Sequence, residues 1–106
     1  MTSGAGVLIR SIEPTDGIVI MERNRGTERM RDLARGPGRL CEALGIDRRL
    51  DGIDLCQAGE LWLGSDDRAP GEIRLSKRIA SRAADSLLRF YVRDNRFVSG
   101  PAALNR

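Results

Sequence analysis

Histidine is absent from the chain. With it go the usual general base near neutral pH and the commonest metal ligand. Cysteine is nearly absent as well. Cys41 and Cys56 stand fifteen residues apart with no CxxC pair, so they lack metal-binding spacing and read as buried, inert thiols rather than a disulfide. Aromatics are scarce: Trp62, Phe90, Tyr91 and Phe97 are the only four. Trp62 lies in "LWL" and Phe90-Tyr91 in an apolar run, so all four are expected in a core rather than on a base-stacking surface. Lysine occurs once, at Lys77, which leaves seventeen of the eighteen cations as arginine. No apolar run approaches the ~18 residues of a membrane span. No basic stretch leads into an apolar one near the start, so no signal peptide is expected and a cytoplasmic location follows by default.

What remains is a chain of 106 residues, 41% of them hydrophobic, enough for one domain with a modest core. It carries no internal repeat and no low-complexity tract. Net charge is +3. An arginine excess suits an anionic partner, because guanidinium forks match phosphate oxygens better than ammonium groups do. A coding bias toward arginine would give the same excess without any partner, and charge alone leaves both readings open.

Along the chain, "GVLIRSIE", residues 6–13, alternates as a first strand. Strand alternation places Arg10 on the face of Leu8 and Ile12, a guanidinium among aliphatic residues. Pro14-Thr15-Asp16 is a turn, with Thr15 or Asp16 as N-cap. Residues 17–25 are expected as a helix that enters the core on Ile18 and Met21. Residues 26–35, anchored only by Met30 and Leu33, read as a loop or a frayed helix. "GPGRLCEALG", 36–45, is a clear helix: Pro37 suits the first helical position, Leu40, Cys41 and Leu44 make a stripe, and Gly45 suits the C-terminal cap. Residues 46–59 are turn-rich. Strands are expected at 60–64 and 72–80. A strand or helical turn, a "DN" turn and a short final strand fill 87–99, and the tail after Gly100 is expected to fray. Short strands with two or three short helices argue for an α+β fold. The first strand begins within a few residues of Met1, which suggests an incomplete sheet.

Few residues offer chemistry. Arg39 falls in the first turn of the helix at 36–45, with Arg35 just outside. A cation there opposes the helix dipole by about 0.3–1 kcal/mol unless an anion sits between it and the free N–H groups. The alternative is that Arg39 simply points to solvent. Arg48 and Arg49 extend the basic surface. The carboxylates Glu13, Glu60 and Asp66-Asp67 pair with no histidine, since there is none. No nucleophile with a base, no GxGxxG and no metal cluster is visible.

Taken together, "GVLIRSIEP", "GPGRLCEALGID", "LWL", "KRIASRAADSLLRFYV" and "NRFVSG" resemble, in order and spacing from about Gly6 to Gly100, the alkylpurine (3-methyladenine) DNA glycosylase family. The resemblance implies an α+β fold around a curved antiparallel sheet with short helices, like part of the formyltransferase C-terminal barrel. It implies base-excision repair of double-stranded DNA bearing an alkylated purine. The damaged nucleotide is flipped out and stacked between aromatics, and a glutamate-activated water attacks C1′ of the sugar without metal or other cofactor. By position, Arg10 would hold the water beside that glutamate, and Ile79 would offer it a backbone carbonyl. Arg39 and Arg48 would meet DNA phosphates. The family places a glycine where Ala80 stands and a proline where Leu87 stands. Residues 1–106 correspond to the C-terminal portion of the family domain. The portion with the catalytic glutamate, the base-gripping aromatics and histidine and the tyrosine wedge has no counterpart here. The resemblance therefore points to a monomeric, catalytically inactive glycosylase portion, with a non-catalytic DNA-binding remnant or a functionless truncated product as the alternatives.

Overall fold

The computed structural model describes residues 6–66, 68–76 and 89–106. Two helices and one two-stranded antiparallel sheet give a small α+β architecture. No helix among the described residues is long and apolar enough to cross a membrane.

Helix α1 runs Ile18–Arg25. Its N-cap is Gly17 in the left-handed region at φ 68°, with no side-chain cap, so neither Thr15 nor Asp16 plays the expected part. As anticipated, Met21 is buried and Ile18 packs against the core. The last turn carries Arg23 and Arg25, cations at the end where the helix dipole favours them. A 3₁₀ turn follows at Met30–Asp32, and the two residues after it, Leu33 and Ala34, are the most deeply buried apolar side chains in this part of the chain. Helix α2 spans Pro37–Leu44, with proline in its first turn and Gly45 at φ 67° closing it. Gly45 and Ile46 donate N–H bonds back to Glu42 and Cys41, which is the glycine-ended cap the sequence predicts. The buried face differs in detail: Leu40 and Ala43 point inward, while Leu44 is exposed.

These pieces form one cluster of Met21, Leu33, Ala34, Leu40 and Ala43, flanked by Ile12, Ile18, Met30, Cys41 and Ile46. Polar side chains lock it. Arg25 Nε donates to Leu33 O at 3.0 Å, Nη2 to Asp32 O at 3.3 Å and Nη1 to Glu42 Oε1 at 2.8 Å. Asn24 Nδ2 donates to Ala43 O at 2.9 Å, near the α2 C-terminus. Together Asn24 and Arg25 tie α1 to α2 and to the turn between them.

The sheet consists of β1, Ile73–Ser76, and β2, Arg89–Val92, in the register Ile73↔Val92, Arg74↔Tyr91, Leu75↔Phe90, Ser76↔Arg89. The rest of the strand expected over 72–80 lies at 77–80, outside the described residues, as does Asp67. Three other strand expectations fail. Residues 6–13 form no ladder. Ser11 makes a single isolated bridge to Arg35, next to an Ile12 N–H bond to Ala34 O of 3.2 Å. Alternation of apolar residues supplies a surface, but a strand also needs a neighbouring backbone, and here the α1–α2 connection offers one for a single pair only. Residues 60–64 are likewise no strand; Leu63 N–H donates to Leu55 O at 2.7 Å. In place of the final strand, Asn95 organises turns: its Oδ1 accepts from Phe97 N–H at 2.8 Å and its carbonyl from Val98 N–H at 3.2 Å.

The tail does not fray. Ala102–Asn105 forms a 3₁₀ turn, and Asn105 is buried. The expectation of four core aromatics is corrected too: Phe97 is buried, but Phe90 is 65% and Trp62 56% exposed.

Candidate nucleic-acid interface

The arginines divide into those held by carboxylates and those that are not, and the division follows local chain geometry. At the α2 N-terminus, Asp32 Oδ1 lies 3.2 Å from Arg35 Nη2 and 3.7 Å from Arg39 Nη1. Arg39 occupies the third position of α2, where the dipole alone would repel it. The neighbouring 3₁₀ turn supplies an anion instead, so the arginine needs no ligand to be tolerated. One carboxylate between two guanidinium groups still leaves a net positive charge, and the Arg39 side chain remains 47% exposed.

After α2, Asp47 caps the 3₁₀ turn Arg48–Leu50. Its Oδ1 accepts from Arg49 N–H at 3.0 Å and from Arg49 Nε at 2.9 Å. The Arg49 guanidinium holds the Asp47 carboxyl below the usual carboxylate range, and Asp47 raises Arg49 in turn. Arg48, at the start of the same turn, is exposed and has no carboxylate partner among the described residues. Within this pair, Arg49 is occupied and Arg48 is available.

Arg10 is exposed immediately before the Ser11–Arg35 bridge. That pairing brings Arg10 beside the segment carrying Asp32, Arg35 and Arg39. Val7, Leu8 and Ile9 before it are exposed as well, Val7 to 94%. Glu13, the carboxylate closest in sequence, accepts from Asn95 Nδ2 at 3.5 Å. Ile79, the fourth expected site residue, lies outside the described residues.

Sequence reasoning missed Arg89. It is only 7% exposed, at the start of β2. Nη1 donates to Ser76 Oγ at 3.2 Å and Leu104 O at 3.4 Å; Nη2 donates to Ser99 O at 3.0 Å and to Asn105 Oδ1. The guanidinium carbon stands 4.4 Å from the centroid of the Tyr91 ring, within cation–π range. Burial pushes the guanidinium below arginine's usual range; Tyr91 works against that shift and the charge of Arg10 adds to it. A signal existed: Arg89 interrupts the apolar run "LLRFYV", and a charge inside such a run is buried with partners or forces the run outward.

Among the described residues no three His, Cys, Asp or Glu side chains converge where a metal ion would sit. Arg10, Arg39 and Arg48 are each exposed, Arg39 in the first turn of α2 and Arg48 beyond its C-terminal cap. An exposed guanidinium can bind an anion such as a phosphate.

Sequence comparison gives the family. A model described as methylpurine-DNA glycosylase (MPG) matches residues 1–96, and the chain belongs to that family. A protein of Mesorhizobium japonicum named "Putative 3-methyladenine DNA glycosylase" is 65% identical over 102 residues, covering 95% of this chain and 49% of the relative. One of the same name from Paraburkholderia phytofirmans is 44% identical, covering 95% of this chain and 48% of the relative. A "Probable DNA-3-methyladenine glycosylase" of Encephalitozoon cuniculi is 42% identical, covering 92% of this chain and 50% of the relative. The chain thus spans about half the length of the curated relatives it matches.

Proposed function

We propose that this chain supplies the DNA-facing arginines of a DNA-3-methyladenine glycosylase of base-excision repair, the enzyme class that hydrolyses the N-glycosidic bond of an alkylated purine flipped out of duplex DNA. In that reaction a water oxygen bonds to C1′ of the sugar as the bond to the purine nitrogen breaks, and alkylation makes the base a better leaving group. A guanidinium can donate hydrogen bonds to such a water and fix it for attack, and Arg10 is assigned this positioning part. Arg39 and Arg48 are assigned phosphate contacts. The hairpin β1–β2 would belong to the curved, formyltransferase-like sheet that the resemblance implies, with the Ile79 carbonyl near the water.

The observation that carries this reading is the family match over residues 1–96, joined to the exposed state of Arg10. Activation of the water needs a general base. Glu13, the carboxylate nearest Arg10 in sequence, is engaged with Asn95. The 106 residues by themselves are accordingly expected to bind duplex DNA without excising a base. Incubation of the purified chain with duplexes carrying hypoxanthine or ethenoadenine, followed by alkaline cleavage and gel analysis, tests this directly. Retained binding with no cleavage supports the reading; site-specific cleavage refutes the inactivity, and absence of any duplex binding refutes the assignment of the arginines.

A further inference from the structure

We infer that the cleft between the 3₁₀ turn at Met30–Asp32 and the turn that follows β2 binds a single phosphate group through Arg31 and Arg96. The cleft encloses about 200 Å³ and is lined by Arg31, Asp94, Asn95, Arg96, Asn105 and Arg106. None of Arg10, Arg39 and Arg48 lines it, so the inference stands on other residues than the proposed function and needs no part of the excision chemistry.

The chain fixes the walls of this cleft. Asp94 takes φ 58°, and its N–H donates to Asn105 O at 2.7 Å, which fastens the turn after β2 to the C-terminal turn. Asn95 Oδ1 accepts from Phe97 N–H at 2.8 Å. Asn105 is itself buried, with its Oδ1 accepting from Arg89. Arg31 Nε donates to Arg96 O at 3.0 Å, a bond between residues 65 apart in the chain. That bond uses the Nε donor of Arg31. Its Nη1 and Nη2 donate to no acceptor among the described residues, so the edge of the guanidinium that forks onto a phosphate is open. The Arg96 guanidinium carbon stands 4.8 Å from the centroid of the buried Phe97 ring. Such stacking holds the cation in place and leaves its in-plane N–H donors unused.

Charge and size choose the ligand. Three arginines line the cleft against one carboxylate, Asp94, and Asp94 Oδ2 is already 3.5 Å from Arg93 Nε. Neither Arg31 nor Arg96 has a carboxylate partner among the described residues. The main-chain oxygen of Arg106 accepts from Tyr91 Oη at 3.5 Å, and Tyr91 is not part of the lining. Cations gathered in this way repel one another, and an anion between them turns the repulsion into attraction. Clefts for drug-sized ligands run to about 300–1,000 Å³. A cleft of about 200 Å³ suits a tetrahedral oxyanion with its waters better than a nucleoside. Arg31 and Arg96 are exposed, so the same chemistry is open to a free phosphate and to one phosphate of a DNA backbone.

The test titrates the full, nitrogen-15-labelled chain with inorganic phosphate at constant ionic strength, with chloride as the control anion. The Nε–H signals of Arg31 and Arg96 are expected to move saturably with phosphate and not with chloride. Arg96→Gln keeps the main-chain acceptor of Arg31 and is expected to weaken phosphate by about tenfold, the scale of one hydrogen bond to a charged group. Asp94→Asn removes the carboxylate but keeps a residue type that tolerates positive φ. It is expected to tighten phosphate by about twofold, the scale of an exposed charge contact, a gain that a merely structural role would not produce. Circular dichroism of each variant separates loss of binding from loss of fold. A second arm titrates a short DNA duplex across a salt series. A slope lowered by about 0.9 in Arg96→Gln supports the site with a backbone phosphate as its ligand. An unchanged slope beside saturable binding of inorganic phosphate supports it with a free phosphate. Shifts that chloride reproduces or that never saturate overturn the inference, as does phosphate affinity unchanged in a folded Arg96→Gln. Where Arg96→Gln does not fold, Asp94→Asn decides, and binding that fails to tighten overturns it.

Discussion

Ser11 pairs with Arg35 in one isolated antiparallel bridge, and that single pairing sets Arg10 beside the α2 N-terminus. Arg10 itself is exposed, and its charge opposes that of buried Arg89. Arg10→Ala is therefore expected to change unfolding free energy by less than about 0.5 kcal/mol, with any shift toward greater stability, because a like-charge repulsion is removed. Urea unfolding of the two proteins measures it. A clear destabilisation would show that Arg10 holds the fold rather than facing a ligand.

Arg89 should behave in the opposite way. Its guanidinium satisfies Ser76 Oγ and three acceptors of the C-terminal turn at once. Arg89→Met removes the donor to those acceptors, at about 1–3 kcal/mol for each buried group that is left unpaired, while Ser99 O keeps Asn105 Nδ2 at 3.4 Å. Arg89→Lys is expected to rescue little, since an ammonium cannot present the planar fork. Hydrogen exchange locates the effect: amides from Ser99 to Arg106 should lose protection in both variants while those of α2 keep theirs. Uniform loss along the chain would contradict a local clasp.

Leu33 is fully buried at the centre of the helical cluster. Truncation there removes transfer free energy and leaves a cavity, so Leu33→Ala should cost about 2–5 kcal/mol. In a domain of this size that is a large share of the total stability. Denaturant midpoints report the loss; a cost well under that range would mean that the cluster collapses around the gap.

What was legible in the sequence was whatever local punctuation decides. Pro37 and Gly45 bracket α2, and both act as expected. Ile18 and Met21 set the face of α1, yet its cap at Gly17 went unread, because a left-handed glycine cap carries no side-chain signature. Strand expectations at 6–13 and 60–64 failed for a shared reason: apolar alternation describes one strand, whereas a ladder needs two. The C-terminal turn was unreadable locally, since what orders it is Arg89, ten or more residues upstream. The candidate site shows the same split. A guanidinium among aliphatic residues was noticed at Arg10, where Leu8 turns out to be exposed and Ile12 to pack against the core without enclosing the arginine, while the arginine that burial does enclose stands at 89.

At the other end of the hairpin, Glu72 Oε2 lies 3.0 Å from Arg93 Nη1 and its Oε1 3.2 Å from Arg74 Nε. The Arg93 hydrogen bond is the main reason that its carboxyl sits below the usual carboxylate range. The folded chain then holds this proton less tightly than the unfolded one. The contribution to stability is present above the unfolded pKa and is lost as pH falls through the lower, folded value. Titration of Glu72 followed by carboxyl NMR should show the lowered midpoint, and Arg93→Gln should move it upward. A midpoint indifferent to residue 93 would assign the shift elsewhere.

The proposed phosphate contacts make the sharpest separable forecast, because the arginines differ in what already holds them. Each phosphate neutralised on duplex DNA contributes about 0.9 to the slope of log affinity against log salt. Arg48 is free of carboxylates among the described residues, so Arg48→Ala should reduce the slope by about that amount. Arg49 is tied to Asp47 at 2.9 Å, and Arg49→Ala should reduce it less. Arg39 is intermediate, 3.7 Å from an Asp32 that Arg35 also claims. Arg39→Ala should lower the slope, and Asp32→Asn should tighten binding by releasing both arginines toward the DNA. Filter binding or fluorescence anisotropy across a salt series reads all four variants. Equal slopes for Arg48→Ala and Arg49→Ala would mean that binding senses net charge alone, with no particular guanidinium placed on a phosphate.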